Sequence, residues 1–345
     1  NPDLKWERTG QFDVGLDLGL FNNRLRVTMD YYKKKTTDLL YNVAIPYTSG
    51  YDTMLKNIGS LENHGYELSI ESDNLTGPFS WTTAFNISFN RNKVLELGGE
   101  EYKEMAEGDG HLKIGSVRRL IVGEPVGVFY GYRFDGIFQN EEECKQQTSS
   151  AAPIGVGLRR YKDLNGDGKV DAVNDREILG NANPKFFGGL TNTFAYKGFE
   201  LNVFLQYSVG NKILNYNAME LETPTGGQNA YADMVNRWTP ENPSNIYPKA
   251  TTNRNVLVSD RFIEDGSYLK LKTLSLSYSF PKVNIKHIQG LRIYVTGQNL
   301  LTWTKYRGYD PEVSYRGAST LESGEDFGGY PQSRTFMLGV KLDIK

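Results

Sequence analysis

Nine stretches of this chain alternate apolar and polar residues with a period of two, over lengths that few folds tolerate. Phe12, Val14, Leu16, Leu18 and Leu20 alternate with Asp13, Gly15, Asp17 and Gly19. Leu25, Val27, Met29 and Tyr31 do the same, as do Tyr66, Leu68 and Ile70. Trp81 to Phe89 and Phe199 to Val209 are the longest clean series, and Phe186 to Tyr196 is a weaker one. Leu274 to Phe280, Leu291 to Val295 and Phe336 to Ile344 complete the set. Successive side chains of a strand point to opposite faces, so each run predicts a strand with one apolar face. No amphipathic helix of comparable clarity is present, and the chain is expected to be all-β.

Alternation does not by itself name what touches the apolar side. A soluble sandwich would bury it against a second sheet. Lipid is favoured by run length, because several runs reach the nine or so residues of a tilted membrane strand. It is favoured too by aromatics at the ends of the apolar rows, such as Trp81 and Phe89, or Phe199 and Tyr207. The connections then sort by length. Short turns are predicted at 21–23, 73–78, 197–198 and, moderately, 281–290, and long segments at 37–57, 91–185, 211–267 and 304–332. Outer-membrane barrels show that asymmetry, with short periplasmic turns and long external loops. Gly127 to Phe138 reads as a non-spanning strand or hairpin, since a tenth crossing would move every later long loop to the other side. Nine strands end in the periplasm and cannot close alone. The expectation is therefore a nine-stranded portion of a transmembrane antiparallel β-barrel over 1–345, with 91–185 a long extracellular loop region.

Composition agrees and excludes other classes. The 39 basic and 41 acidic residues give a net charge of -2, which argues against a nucleic-acid binder. The single Cys144 excludes a disulfide framework, and three histidines leave little for a metal or catalytic cluster. No run is long and apolar enough for a membrane helix, and the mean hydropathy of -0.51 does not exclude a barrel, whose alternating strands hide their apolarity from such averages. The chain opens Asn1-Pro2-Asp3 without a methionine or apolar leader, so its first residue reads as internal to a longer precursor.

Several segments, weak singly and specific in their order, then carry a family resemblance. They are Asn1-Pro-Asp-Leu-Lys-Trp-Glu7, Asn57-Ile-Gly-Ser-Leu-Glu-Asn-His-Gly-Tyr-Glu67 and Gly180-Asn-Ala-Asn-Pro-Lys-Phe-Phe-Gly-Gly-Leu190. Asp163-Leu-Asn-Gly-Asp-Gly168, Gly297-Gln-Asn-Leu-Leu-Thr-Trp-Thr304, Tyr309-Asp-Pro-Glu312 and Tyr330-Pro-Gln-Ser-Arg-Thr335 complete them. The chain resembles, over nearly its whole length, the C-terminal part of SusC/RagA-type TonB-dependent transporters of Bacteroidota outer membranes. The resemblance implies a 22-stranded barrel, a plug, uptake of oligosaccharides or oligopeptides, a SusD-like surface lipoprotein and energy from TonB-ExbB-ExbD. One departure is the ending Asp343-Ile344-Lys345, where such barrels usually end in an aromatic. A siderophore receptor of the same barrel class, and a soluble surface-exposed binding or adhesion protein, are the alternatives.

Two kinds of candidate site stand out. Asp163, Asn165 and Asp167 place oxygens at positions 1, 3 and 5 of a calcium-type loop, with Gly168 at 6 and the Lys169 carbonyl at 7. Asn174 occupies position 12, so Asp175 is expected to close a weak structural Ca²⁺ site after a one-residue insertion near Ala172 and Val173. The same residues also suit a metal-free series of Asx turns. Tyr231, Trp238, Tyr306 and Tyr309, with Tyr47, Tyr51 and Tyr315, are loop aromatics that could stack on cargo or pack loops together. Trp303 reads as a girdle residue at the membrane boundary. His64 is placed in a turn with no partner, Cys144 as an exposed loop thiol, and Glu141 to Glu143 as a solvated face. No nucleophile elbow, phosphate loop or His-Glu-x-x-His motif is present, and no enzyme is expected.

Overall fold

The computed structural model describes residues 4–344 apart from 45–47, 49, 106–107, 109, 224, 226–227, 253–255, 282–286, 314, 318 and 320. Nine long strands form one antiparallel sheet in which every strand pairs with its neighbours in chain order. They are β1 (Arg8–Leu20), β2 (Leu25–Thr37), β3 (Ser60–Thr76), β4 (Phe79–Glu96) and β5 (Phe186–Tyr196). β6 (Phe199–Val209), β7 (Tyr268–Ser279), β8 (Ile288–Thr304) and β9 (Thr335–Ile344) follow. Among the described residues β1 and β9 each pair on one side only, and a lipid-facing sheet edge needs a partner, so closing a barrel takes strands beyond these nine.

The register turns the nine alternating runs into one continuous apolar face. Val27 faces Ile70, Ile70 faces Phe85, Phe85 faces Leu190 and Leu190 faces Leu205. Nearer the short turns, Trp81, Phe194, Leu201, Leu276, Val295 and Leu338 form another such row. Residues of this face stay uncovered by protein, Leu276 and Val295 at 50% exposure and Leu338 at 76%. A soluble protein rarely exposes contiguous apolar patches beyond roughly a few hundred Å², and this face runs across nine strands.

Aromatic belts bound it. At one end Phe89, Phe186 and Tyr207 lie 5.7 and 6.2 Å apart by ring centre, with Trp303 nearby on β8. At the other, Trp81 stacks on Phe194 at 5.8 Å, and Phe199 meets Tyr278 at 4.5 Å. Phe199 and Tyr207 lie roughly 26 Å apart along β6, or about 20 Å along the membrane normal at a tilt of about 40°. Such spacing suits an outer-membrane apolar band, and rings of this kind prefer its boundaries.

Turn chemistry explains the short end. Lys197 and Gly198 join β5 to β6 with φ of 47° and 88°, the two left-handed positions of a turn whose twist matches that of the strands. The β3–β4 turn is confined to Gly77 and Pro78, shorter than the sequence suggests, because β3 bulges between Asp73 and Leu75 and continues to Thr76. β4 likewise runs to Glu96, several residues past the expected end at 91. His64 is corrected as well: it lies within β3, with Nδ1 3.7 Å from Glu62 Oε1.

Candidate functional site

The long connections all leave the sheet at its other end, where they build a cap with its own core. Leu112, Ile114, Val117 and Phe129 come from the connection after β4, and Leu214, Tyr216, Met219 and Phe262 from the one after β6. Phe327, from the connection after β8, packs against them. A four-stranded sheet of Tyr102–Glu104, Arg118–Ile121, Val128–Tyr132 and Arg176–Asn181 supports the core. Gly127 to Phe138 thus contributes cap strands, as its placement outside the membrane requires. The helix Tyr216–Leu221 starts where Asn215 Oδ1 accepts the Ala218 amide at 2.9 Å, a side-chain N-cap.

Buried charge ties the connections together. Glu325, 1% exposed, accepts hydrogen bonds from Arg118 Nε at 2.8 Å, the Tyr216 hydroxyl at 3.0 Å and Arg316 Nε at 3.3 Å. Burial and the adjoining Glu325 carboxylate push the Tyr216 phenol far above its ordinary range, so it stays a donor. Glu222 is gripped by Arg261 at 2.7 Å and Arg307 at 2.8 Å, and Arg307 also reaches Glu264 at 2.8 Å. Burial opposes the Arg307 charge, but the two carboxylates outweigh it and hold the guanidinium ionised. Breaking such a pair from one side leaves an uncompensated buried charge.

The cap is also locked to the lumen-facing side of the sheet. Lys270, 2% exposed, donates to Asp310 Oδ1 and Glu312 Oε2, both at 2.6 Å. Lys272 donates to the same Glu312 oxygen at 2.9 Å, while the Tyr268 hydroxyl and Gln206 meet its other oxygen at 3.2 and 3.3 Å. A bulge positions the pair: Leu205 faces Leu271 and Phe204 faces Thr273, so Lys272 is the extra residue. On β8 the matching extra residues are Asn299 and Leu300, with Asn299 at a φ of 53°. The apolar series of β7 therefore continues through Leu271 and Leu269 in a shifted phase, which strict alternation hides. Burial raises the Glu312 carboxyl, but its lysine partners outweigh this and hold it below the usual carboxylate range.

The sequence candidates divide. Tyr309 is 78% exposed, beside the docked Asp310, and is open to a ligand. Tyr306 is corrected to a packing residue: it is 5% exposed and its hydroxyl donates to Asp326 at 2.5 Å. Trp238 is half-buried and donates its indole N–H to Gln139 at 3.0 Å, which ties two connections together. Tyr231 is half-buried against the cap core. Tyr51 is exposed, Tyr315 packs at 5.7 Å from Phe327, and Tyr47 lies outside the described residues. Cys144 is half-buried on the short helix Glu141–Lys145, whose first turn holds Glu141 to Glu143 under an Asn140 cap.

In the calcium-type loop, backbone amides occupy the carboxylates. Asp163 accepts from Gly166 and Gly168, each at 2.7 Å, and Asp167 from the Lys169 amide at 2.8 Å. Asn165 accepts from the Asp167 amide at 3.2 Å. Asp175 is fully buried and spans the loop, taking Leu164 N on one oxygen and Asp171 N on the other at 2.8 and 2.7 Å. Among the described residues no three acidic, histidine or cysteine side chains converge to hold a cation. The donor set is chemically right for a hard cation, but this arrangement folds the loop through Asx turns.

Sequence reasoning missed Lys270, Lys272, Arg118, Glu222 and Glu325. A signal existed for the lysines: Leu269-Lys270-Leu271-Lys272 alternates, placing two cations beside each other on the polar face. For the others none existed locally, since Arg118 and Glu325 lie 207 positions apart.

A two-belted antiparallel wall whose long connections gather into one cap defines an outer-membrane β-barrel of the receptor type. The family described as TonB dependent receptor-like, beta-barrel matches residues 1–300, and the chain belongs to it. TonB-dependent receptor P3 of Formosa agariphila is 41% identical over 349 residues, covering 99% of this chain and 34% of that protein. TonB-dependent receptor SusC of Bacteroides thetaiotaomicron is 31% identical over 358 residues, covering 100% of this chain and 32% of SusC. A structure of the RagAB peptide transporter superposes with a TM-score of 0.79 at 27% identity, covering 99% of this chain and 36% of that one. The chain thus spans about a third of the length of the relatives it matches. The SusC/RagA-type resemblance is confirmed.

Proposed function

We propose that this chain forms part of the wall and surface cap of an importer that takes up oligosaccharides or oligopeptides across the outer membrane. A SusD-like surface lipoprotein would deliver cargo to the cap, and TonB-ExbB-ExbD would supply energy through regions outside this chain. The reading is supported above all by one observation: the Asp310–Glu312 segment is drawn down onto the lumen-facing lysines, which leaves Tyr309 exposed beside it. An exposed phenol ring there suits sugar rings and peptide side chains alike. The RagAB peptide transporter is the relative whose name favours peptide cargo, and oligosaccharides remain the other class the family resemblance implies. The test is uptake by cells carrying the full-length protein, using fluorescent oligosaccharides and oligopeptides, with and without TonB and the lipoprotein. Uptake of one class that needs both partners supports the reading. Uptake of an iron chelate that needs no lipoprotein would replace it with the siderophore reading.

Calcium at Asp163, Asn165, Asp167, Lys169 and Asp175 is a subsidiary proposal. Because amides already fold the loop, the cation would tighten it rather than create it. Affinity on the order of 0.1–1 mM suits such an external site.

A further inference from the structure

The outward face of the wall is not uniform above its outer aromatic belt. On β2, β3 and β4 the belt is the row Tyr31, Tyr66 and Phe89. One pair further from the short turns on the same face comes the row Lys33, His64 and Arg91, and then the row Lys35, Glu62 and Lys93. The strand period puts all six on the lipid-facing side. Rows are about 7 Å apart and strands about 4.8 Å apart, so the group fits within one headgroup's reach. Four fixed cations stand against the single carboxylate of Glu62, a net charge of 4 − 1 = +3 with His64 neutral.

Little of that charge is cancelled locally. Lys33 meets Glu62 at 3.1 Å. Arg91 spends Nη1 on the carbonyls of Asn90 and Lys185, both at 2.8 Å, and its Nε and Nη2 have no partner among the described residues. Lys35 and Lys93 are exposed and form no ion pair among the described residues. The opposite half of the wall lacks the feature. Beyond Tyr207, Leu269 and Trp303 come Val209, Asp265, Ser267 and Lys305, and two positions before Phe336 comes Arg334, so the cations there are two against one carboxylate and are not clustered on adjoining rows. A generic belt of snorkelling lysines would run around the whole wall, whereas this cluster is confined to three strands.

We propose that this cluster binds the phosphate-bearing headgroup of an outer-leaflet lipid, whose acyl chains lie along the apolar rows of β2 to β4. The occupant follows from continuity: the cations begin where the lipid-facing aromatic row ends, at headgroup depth on the cap side. The open edge of Arg91 suits paired hydrogen bonds to phosphate oxygens, and the lysines add point charges. The proposal rests on the membrane orientation given above and adds a specific lipid to it.

The experiment uses the full-length protein reconstituted into vesicles containing lipopolysaccharide, either intact or enzymatically dephosphorylated, followed by detergent extraction and mass spectrometry of retained lipid. The expected result is about tenfold more retention of the phosphorylated form, because basic residues at the headgroup level favour an anionic surface. Lys35→Gln/Arg91→Gln/Lys93→Gln should abolish that preference, while Lys34→Gln, on the lumen-facing side, should keep it. Equal retention of both lipids by the parent, or an unchanged preference in the triple variant, overturns the site. The dephosphorylated arm needs no variant, so it decides even where the triple variant fails to insert. A parent that does not insert at all overturns the membrane reading along with the site.

Discussion

The wall and the cap solve the same problem with opposite materials. In the wall, apolar side chains such as Leu276 and Leu338 lie exposed on one face, and hydrocarbon supplies the missing partner. In the cap, Phe129, Leu214 and Phe262 are wholly buried by protein, and charged residues such as Arg118 and Glu325 go in with them. The wall is held by ladders between strands adjacent in sequence. The cap is held by pairs such as Arg307 with Glu222, 85 positions apart. The wall can therefore be read one strand at a time, but the partners within the cap meet only because the wall brings distant connections side by side.

That contrast predicts separable effects. The largest is expected in the cap. Glu325→Ala leaves Arg118, Tyr216 and Arg316 without their shared acceptor, a loss of about 3–5 kcal/mol. Cap protease sensitivity should rise sharply while the folded barrel keeps its shifted gel mobility. Simultaneous loss of both would show that cap and wall are one unit.

Next comes the wall itself. Val203→Arg puts a charge on the lipid face and should cost about 2–4 kcal/mol near the midplane. Asn202→Arg, on the lumen-facing side of the same strand and away from the Lys270–Glu312 lock, should be almost neutral. Denaturation of the two variants in lipid compares them directly, and equal losses would contradict the facing assignment.

The lock between the two regions should be weaker and pH-dependent. Glu312→Gln removes charge-assisted bonds from Lys270 and Lys272 and should loosen the β8–β9 connection by about 2 kcal/mol. Glu312 titrates lower when docked than when free, so the docked state binds fewer protons. Docking is therefore fully favoured above the ordinary carboxylate range and fades as pH falls through the depressed value. Hydrogen exchange of that connection, measured against pH in parent and variant, reads this. A parent that shows no loosening at low pH would rule the lock out.

The smallest effect is reserved for calcium. Chelation should change proteolysis between Arg159 and Gly180 by a factor of two or so, because Asp163 and Asp175 already hold the loop through amides. Collapse of the segment on chelation would show that the cation folds it.

How much of this was readable follows from the same contrast. All nine spanning strands were visible, because a two-residue period is a local property. The bulge at Lys272 was not, since an extra residue shifts the phase and makes Leu269 and Leu271 look unrelated to Leu274. The Tyr309-Asp-Pro-Glu312 segment was recognised as a family mark, but its job depended on a lysine pair about 40 positions away. Tyr306 and Trp238 stood equally as ligand contacts or as loop packing, because sequence shows a ring and not what its polar atom meets. His64 was placed in a turn because the strand rises past the apolar row into charged positions, where alternation carries no hydrophobic signal.

The central claim is that hydrocarbon touches one face of this sheet and the cap and lumen occupy the other. The most direct test places single cysteines at positions 199 to 209 of β6, in a Cys144→Ser background of the full-length protein, and reads quenching of an attached fluorophore by brominated lipid. Quenching at 201, 203, 205 and 207, with little at 200, 202, 204 and 206, is the result expected. Uniform quenching, or none at the odd positions, would contradict it.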